Sequence, residues 1–135
     1  TDTDTSILAS TTSIDRIIEV FIGGEATAST VNRHQLRRHS TVGVTPVAIT
    51  LVPLNNRSVT PGATAASAFT TDPVLGGVLL NLAFNAFGGV NRWVAAPGEE
   101  IYLVGIAGAS GDKEAGLNSA SGVGLVSSHV IFEEL

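Results

Sequence analysis

The clearest alternation along the chain runs from Thr45 to Val52, where Val47, Ile49 and Leu51 fall on one face and predict a strand. From Ile14 to Ile22 the run IDRIIEVFI is rich in β-branched and aromatic residues and stops at Gly23-Gly24. Its spacing would also suit a short helix, but its composition favours a strand. The apolar stretch Val78 to Phe87 is bracketed by Gly76-Gly77 and Gly88-Gly89. It is too short to span a membrane and reads as a buried strand, with a helix of two to three turns as the rival. Arg92 to Val94 and Ile101 to Val104 read as strands joined through Pro97-Gly98, where proline presets the first dihedral of a type II turn and glycine accepts the positive one. Gly124 to Phe132 alternates again and predicts a last strand.

Between these runs the signals weaken. Thr27 to Ser40 alternates only loosely, Pro53 to Thr64 has the Asn, Pro and Gly content of a long surface loop, and Gly105 to Gly124 reads as an exposed loop with one weak strand near Leu117. Residues 1–13 are mostly Thr, Ser and Asp with one apolar pair, Ile7 and Leu8. A segment so polar does not offset its own ordering entropy, so it reads as an extended arm that a neighbour must hold. The expectation is an all-β fold: an N-terminal arm over 1–13 and a single-domain jelly-roll or β-sandwich of about seven or eight strands over 14–135.

Composition changes the picture in one respect. The chain of 135 residues is 44% hydrophobic, yet only 14% charged and 5% aromatic, where soluble domains average roughly 25% charged. With a mean hydropathy of +0.34 and no apolar run of membrane-spanning length, more apolar surface is expected than one small domain hides, and subunit contacts are where such surface goes. A homo-oligomer is therefore expected, with no membrane partner. A net charge of −5 argues against general nucleic-acid binding. The opening TDTDTS lacks the basic segment and apolar core of a secretory signal, Thr1 is compatible with removal of an initiator methionine, and synthesis in a cytoplasm is the default.

Candidate chemistry is sparse. The absence of cysteine excludes disulfides, thiolate metal sites and a cysteine nucleophile. His34 and His39 are five apart and lack the spacing of a metal pair, so solvated or hydrogen-bonded histidines are expected there and at His129. The carboxylate pairs Glu99-Glu100 and Glu133-Glu134 read as exposed solubility and edge-protecting residues, and no serine sits in a nucleophile elbow or lysine behind a phosphate loop. Neither a catalytic set, a metal site, a cofactor nor a small-molecule substrate is expected. The basic cluster NRHQLRRH stands out, because Arg33, Arg37 and Arg38 are three of only seven cations. Their partner would be acidic: Asp2 and Asp4 of the arm, a neighbouring copy's Glu133-Glu134, or another protein. A solvated strand face is an equal alternative. Trp93 reads as a core residue.

Taken in order, VAITLVPLN leading into a loop, the apolar GGVLLNLAFNAFGG, the turn and strand AAPGEEIYLVG and the closing GVGLVSSHVIFEEL resemble the small jelly-roll proteins that decorate or cement tailed-bacteriophage capsids, and similar modules on phage tails. The resemblance covers Thr45 to Leu135. It implies a virion structural protein, a homotrimer seated on the capsid surface where subunits of the major capsid protein meet. Carried onto this chain, it makes the arm, with Asp2, Asp4, Ile7 and Leu8, and the segment Arg33 to Arg38 the capsid-facing candidates. A tail- or fibre-associated module that binds a receptor or glycan through Asn55 to Thr64 and Gly105 to Gly122 is the alternative.

Overall fold

The β-branched run that opens at Ile14 forms β2 (Ile14–Glu25), the strand around which the smaller of two sheets is built. In a computed structural model, which describes residues 3–55, 59–106, 108, 110–122 and 124–135, the other strands are β1 (Thr3–Leu8), β3 (Val31–Thr41), β4 (Val47–Ile49), β5 (Thr64–Ser67), β6 (Val74–Asn85), β7 (Phe87–Val94), β8 (Ile101–Val104), β9 (Glu114–Ser121) and β10 (Val126–Glu134). One short 3₁₀ turn occupies Ser110–Asp112. The larger sheet has the order β4-β5-β1-β9-β3-β6. In the smaller, β10 pairs along one edge of β2, while β7 and β8 pair with its Glu19–Glu25 and Ile14–Ile17 stretches. Among the described residues ten strands replace the seven or eight expected, and the all-β sandwich stands.

The connectivity has a simple description. Thr3 pairs with Asn118, Ile14 with Val104, Glu19 with Val94, Val31 with Asn85, Val44 with Thr71 and Ile49 with Ala65, all antiparallel. These pairs are successive rungs of one ribbon, folded back on itself at the segment between Ile49 and Thr64. Wrapping it over two sheets gives the jelly-roll-like character. Where the ribbon crosses between sheets, the Ala26 N–H donates to Ala86 O at 2.8 Å. Gly24 is required there, since a Cβ on it would lie 2.4 Å from the same oxygen.

Between the sheets lie Ile7, Ile17, Val20, Ile22, Leu36, Leu82, Phe84, Leu103 and Leu117, with Trp93, Val126, Val130 and Phe132 packed partly against them. At the turn predicted around Pro97-Gly98, Gly98 has φ of +87° and the Glu99 N–H donates to Ala96 O at 2.9 Å.

Two segments differ from the sequence reading. Residues 3–8 are no free arm: β1 lies between β5 and β9 of its own chain, with Ser6 and Ile7 buried. Glu114–Ser121, expected as an exposed loop with one weak strand near Leu117, is the full strand β9, buried from Glu114 to Asn118 and flanked by β1 and β3. Its composition of Ala, Gly, Asn and Ser hides a strand covered on both faces, where neighbours come too close for large side chains. The clear alternation of Thr45–Val52 yields only the short, exposed β4.

Candidate functional site

Strand β3 distributes the basic cluster over both of its faces. Arg33 is exposed. Arg37 turns back to β6, with Nε and Nη2 donating to Gly76 O at 3.1 and 2.7 Å. Arg38 is half-buried, which lowers its pKa despite nearby Asp112, and its Nη1 reaches Asp112 O at 3.4 Å. Two of the three arginines are thus committed within the chain. Arg33→Ala is expected to change stability by less than about 0.5 kcal/mol, and Arg37→Ala to cost about 1 kcal/mol, measured by urea unfolding. Of the other partner-binding candidates, Ile7 is core, Leu8 is half-buried in β1, and Asp2 lies outside the described residues. Asp4 does meet the basic segment, at His34: Nε2 lies 2.6 Å from Asp4 Oδ2.

Asp4 and His34 line a cavity of about 270 Å³ together with Asn32, Ser119, Gly122, Gly124 and Val126. His34 is buried, tilts against Phe84 and has no hydrogen-bond partner on Nδ1 among the described residues. Although Ser119 is its cross-strand neighbour, the serine–histidine hydrogen bond that activates a nucleophile is not made.

His39 is fully buried and lies across β9, with Nδ1 at 2.7 Å from Glu114 Oε1 and Nε2 at 3.2 Å from Asn118 Nδ2. Asn118 Nδ2 also donates to Gly116 O at 2.8 Å, and its Oδ1 accepts from the Thr3 hydroxyl at 2.7 Å. Those two bonds fix the amide, so His39 Nε2 accepts and Nδ1–H donates to the carboxylate. The network ties β1, β9 and β3 together.

Just after the turn that leads from β1 into β2, Asp15 is buried opposite Glu134 in the β2–β10 register. Burial pushes its carboxyl up to about 6, with Glu134 adding to the shift and the Ser13 hydroxyl opposing it. Glu134, expected as a solubility residue, accepts from the Gly62 N–H at 2.9 Å and the Ala63 N–H at 3.2 Å, and so pins the ribbon's fold-back segment to β10. Glu133 pairs with Arg16, whose pKa is raised mainly by that bond, and Glu100 lies 3.7 Å from the same guanidinium.

The smaller sheet also carries Glu19, which accepts from Arg92 Nε at 2.8 Å and lies 2.6 Å from His129 Nε2, hydrogen bonds that lower its pKa. His129 stacks on Phe21 with ring centroids 5.1 Å apart.

Charge is distributed unevenly. Between Ser40 and Asn91 the only charged side chains are Arg57 and Asp72; every other charge lies outside that stretch. Most of the large apolar side chains left exposed belong to it or adjoin it: Val44, Val52, Leu54, Val74, Phe87 and Val90 are each more than half exposed. The accessible surface is 7410 Å², against about 6,600 Å² for a compact monomer of 13.8 kDa. A cleft of about 1500 Å³ opens beside β10, walled by Ile7, Ile49, Leu51, Val126, Val130 and Phe132 among others. The basic cluster drew attention as the densest charge; the signal for this surface was the opposite one, a long absence of charge.

Among the described residues no group of three or more His, Asp or Glu side chains is placed to hold a metal ion, and no helix is long and apolar enough to cross a membrane. No protein-family model matches the chain, and neither does any curated protein or solved structure.

Proposed function

We propose that this chain is a non-catalytic structural subunit of a homo-oligomer, a trimer on the resemblance described above, that decorates and stabilises a bacteriophage capsid. The observation that supports the assembly reading is the charge-poor stretch between Ser40 and Asn91, which leaves Val44, Val52, Leu54, Val74, Phe87 and Val90 each more than half exposed. The capsid setting rests on the order of the four segments that resemble decoration proteins. On this reading β1 rigidifies the N-terminal segment, and the contacts to the major capsid protein come from exposed positions such as Arg33.

Sedimentation velocity at micromolar concentration is expected to give a mass that is a multiple of 13.8 kDa, and the protein is expected to cosediment with undecorated phage capsids at physiological salt. A monomer that leaves capsids bare would end the proposal. The tail- or fibre-associated alternative has one feature in its favour, the Phe21–His129 stack flanked by Glu19 and Arg92, a flat ring surface edged with polar groups of the kind sugars pack on. A glycan-array signal lost in Phe21→Ala would favour it.

A further inference from the structure

We propose that Asp15 and Glu134 share a single proton, and that this proton latches Gly62 and Ala63 to the end of β10. The inference concerns one copy of the chain and holds whatever its oligomeric state.

The arrangement calls for a proton between the two groups. In the antiparallel register Glu134 lies directly across from Asp15, which puts their side chains on one face with Cβ atoms about 5 Å apart. Asp15 is fully buried, and its Oδ2 accepts from the Ser13 hydroxyl at 3.0 Å. The Ser13 oxygen accepts in turn from the Ser10 N–H at 3.1 Å. Asp15 Oδ1 is buried as well and has no donor among the described residues. A carboxylate in that state, with a second carboxylate beside it, is unfavourable on both counts. Protonation relieves both, because the Asp15 O–H then donates to Glu134 and the pair carries one negative charge instead of two.

No cation takes over that task. On the β8 side Asp15 meets Leu103, the turn before β2 brings the Ser13 hydroxyl, and Val59 to Ala63 carry no charge. Arg16, next in the chain, falls on the opposite face of β2, where it meets Glu133, Glu100 and Tyr102. Among the described residues Glu134 is the one charged group that shifts Asp15, and it adds to burial in holding the proton on up to about 6.

Glu134 carries the effect of the proton outward. Its Oε1 accepts from the Gly62 N–H at 2.9 Å and the Ala63 N–H at 3.2 Å, and its Oε2 lies 3.1 Å from the Gly62 nitrogen. Gly62 fits closely there: a Cβ on it would lie 3.0 Å from Ser10 Oγ and 3.6 Å from Glu134 Oε1. Thr60 and Pro61, just before it, help to wall the cleft beside β10. Once the proton leaves to water, two like charges face each other. Asp15 is enclosed and Glu134 is exposed, so Glu134 is the group that turns away, and both N–H groups lose their acceptor. That wall of the cleft therefore loosens as pH rises through the titration of the pair.

Amide hydrogen exchange on the full chain, resolved by residue and corrected for the intrinsic pH dependence of exchange, tests the latch. Protection of Gly62 and Ala63 is expected to fall by about tenfold between about pH 5 and pH 7.5. Glu99, whose N–H is bonded to Ala96 O in the Pro97-Gly98 turn, is expected to keep its protection. Asp15→Asn retains a donor toward Glu134 and cannot ionise, so it is expected to abolish the fall. Glu134→Ala is expected to remove the protection at both pH values and to lower the midpoint at which the Asp15 carboxyl carbon titrates by NMR. Protection that stays constant in the wild type while Asp15 titrates, or that falls equally in Asp15→Asn, would overturn the proposal.

Discussion

Gly116→Ala is expected to destabilise the protein by about 3 kcal/mol, measured as the loss of unfolding free energy in urea. A Cβ at this position would lie 2.4 Å from Thr5 O and 2.7 Å from His39 Cε1. The first contact is with backbone in the neighbouring strand, which cannot move without disturbing the β1–β9 ladder. The second is with the ring that spans Glu114 and Asn118, so yielding there breaks a buried network. His39→Ala reaches the same network from the other side. It leaves the Glu114 carboxylate buried without its N–H donor, and a loss of about 3–5 kcal/mol is expected. Because both changes strike one network, the double variant should lose less than the two single losses added.

The second large effect is a dependence on pH. In the folded chain Asp15 holds its proton up to about 6, against an ordinary value of 3.8. The folded state therefore binds more protons than the unfolded state between those values, and stability falls as pH rises through that window. The favourable contribution is complete below 3.8 and lost above 6. Allowing for screening by solvent, it amounts to about 1–2 kcal/mol. Asp15→Asn, which cannot ionise, is expected to be more stable than wild type at pH 8 by about that amount, and to flatten the stability profile between pH 4.5 and 7. The check is the urea midpoint of both proteins at several pH values. Glu19, whose pKa is lowered by its bonds to His129 and Arg92, contributes in the opposite sense: its stabilisation is present above the ordinary value of 4.5 and is lost as pH falls through the lowered folded value. An unchanged slope in Asp15→Asn would show that the buried Asp15 carboxyl is not what couples folding to protons.

Legibility in the sequence followed the one-sidedness of burial. β2, β8 and the Pro97-Gly98 turn were readable because β-branched runs and turn chemistry are local signals. β9 was legible only as one weak strand near Leu117 and not as a buried one: EAGLNSAS takes its strand character from β1 and β3, which crowd it on either side, and only the small residues record that crowding. The same holds for β1, whose Thr and Ser are buried by neighbours far along the chain. Polar residues were misjudged in a related way. Arg37, Arg38 and Glu134 read as outward contacts and bond to backbone of their own chain, because a carbonyl or amide left over at a ribbon edge carries no mark in the sequence.

The single ribbon that runs from the Thr3–Asn118 rung to the Ile49–Ala65 rung also dictates how the molecule can fold. The rungs nearest the fold-back close the shortest loops, and each rung further out bridges more chain. Loop closure alone would start the ladder at β4–β5 and extend it outward, with β1–β9 among the last rungs. Yet β4 is the shortest and most exposed strand, so the cheapest rungs to close are poorly supported by burial. Folding should then be slow, on the scale of milliseconds to seconds for a topology so dominated by distant pairings. Shortening the segment between Ile49 and Thr64 should accelerate it more than any change in the buried interior.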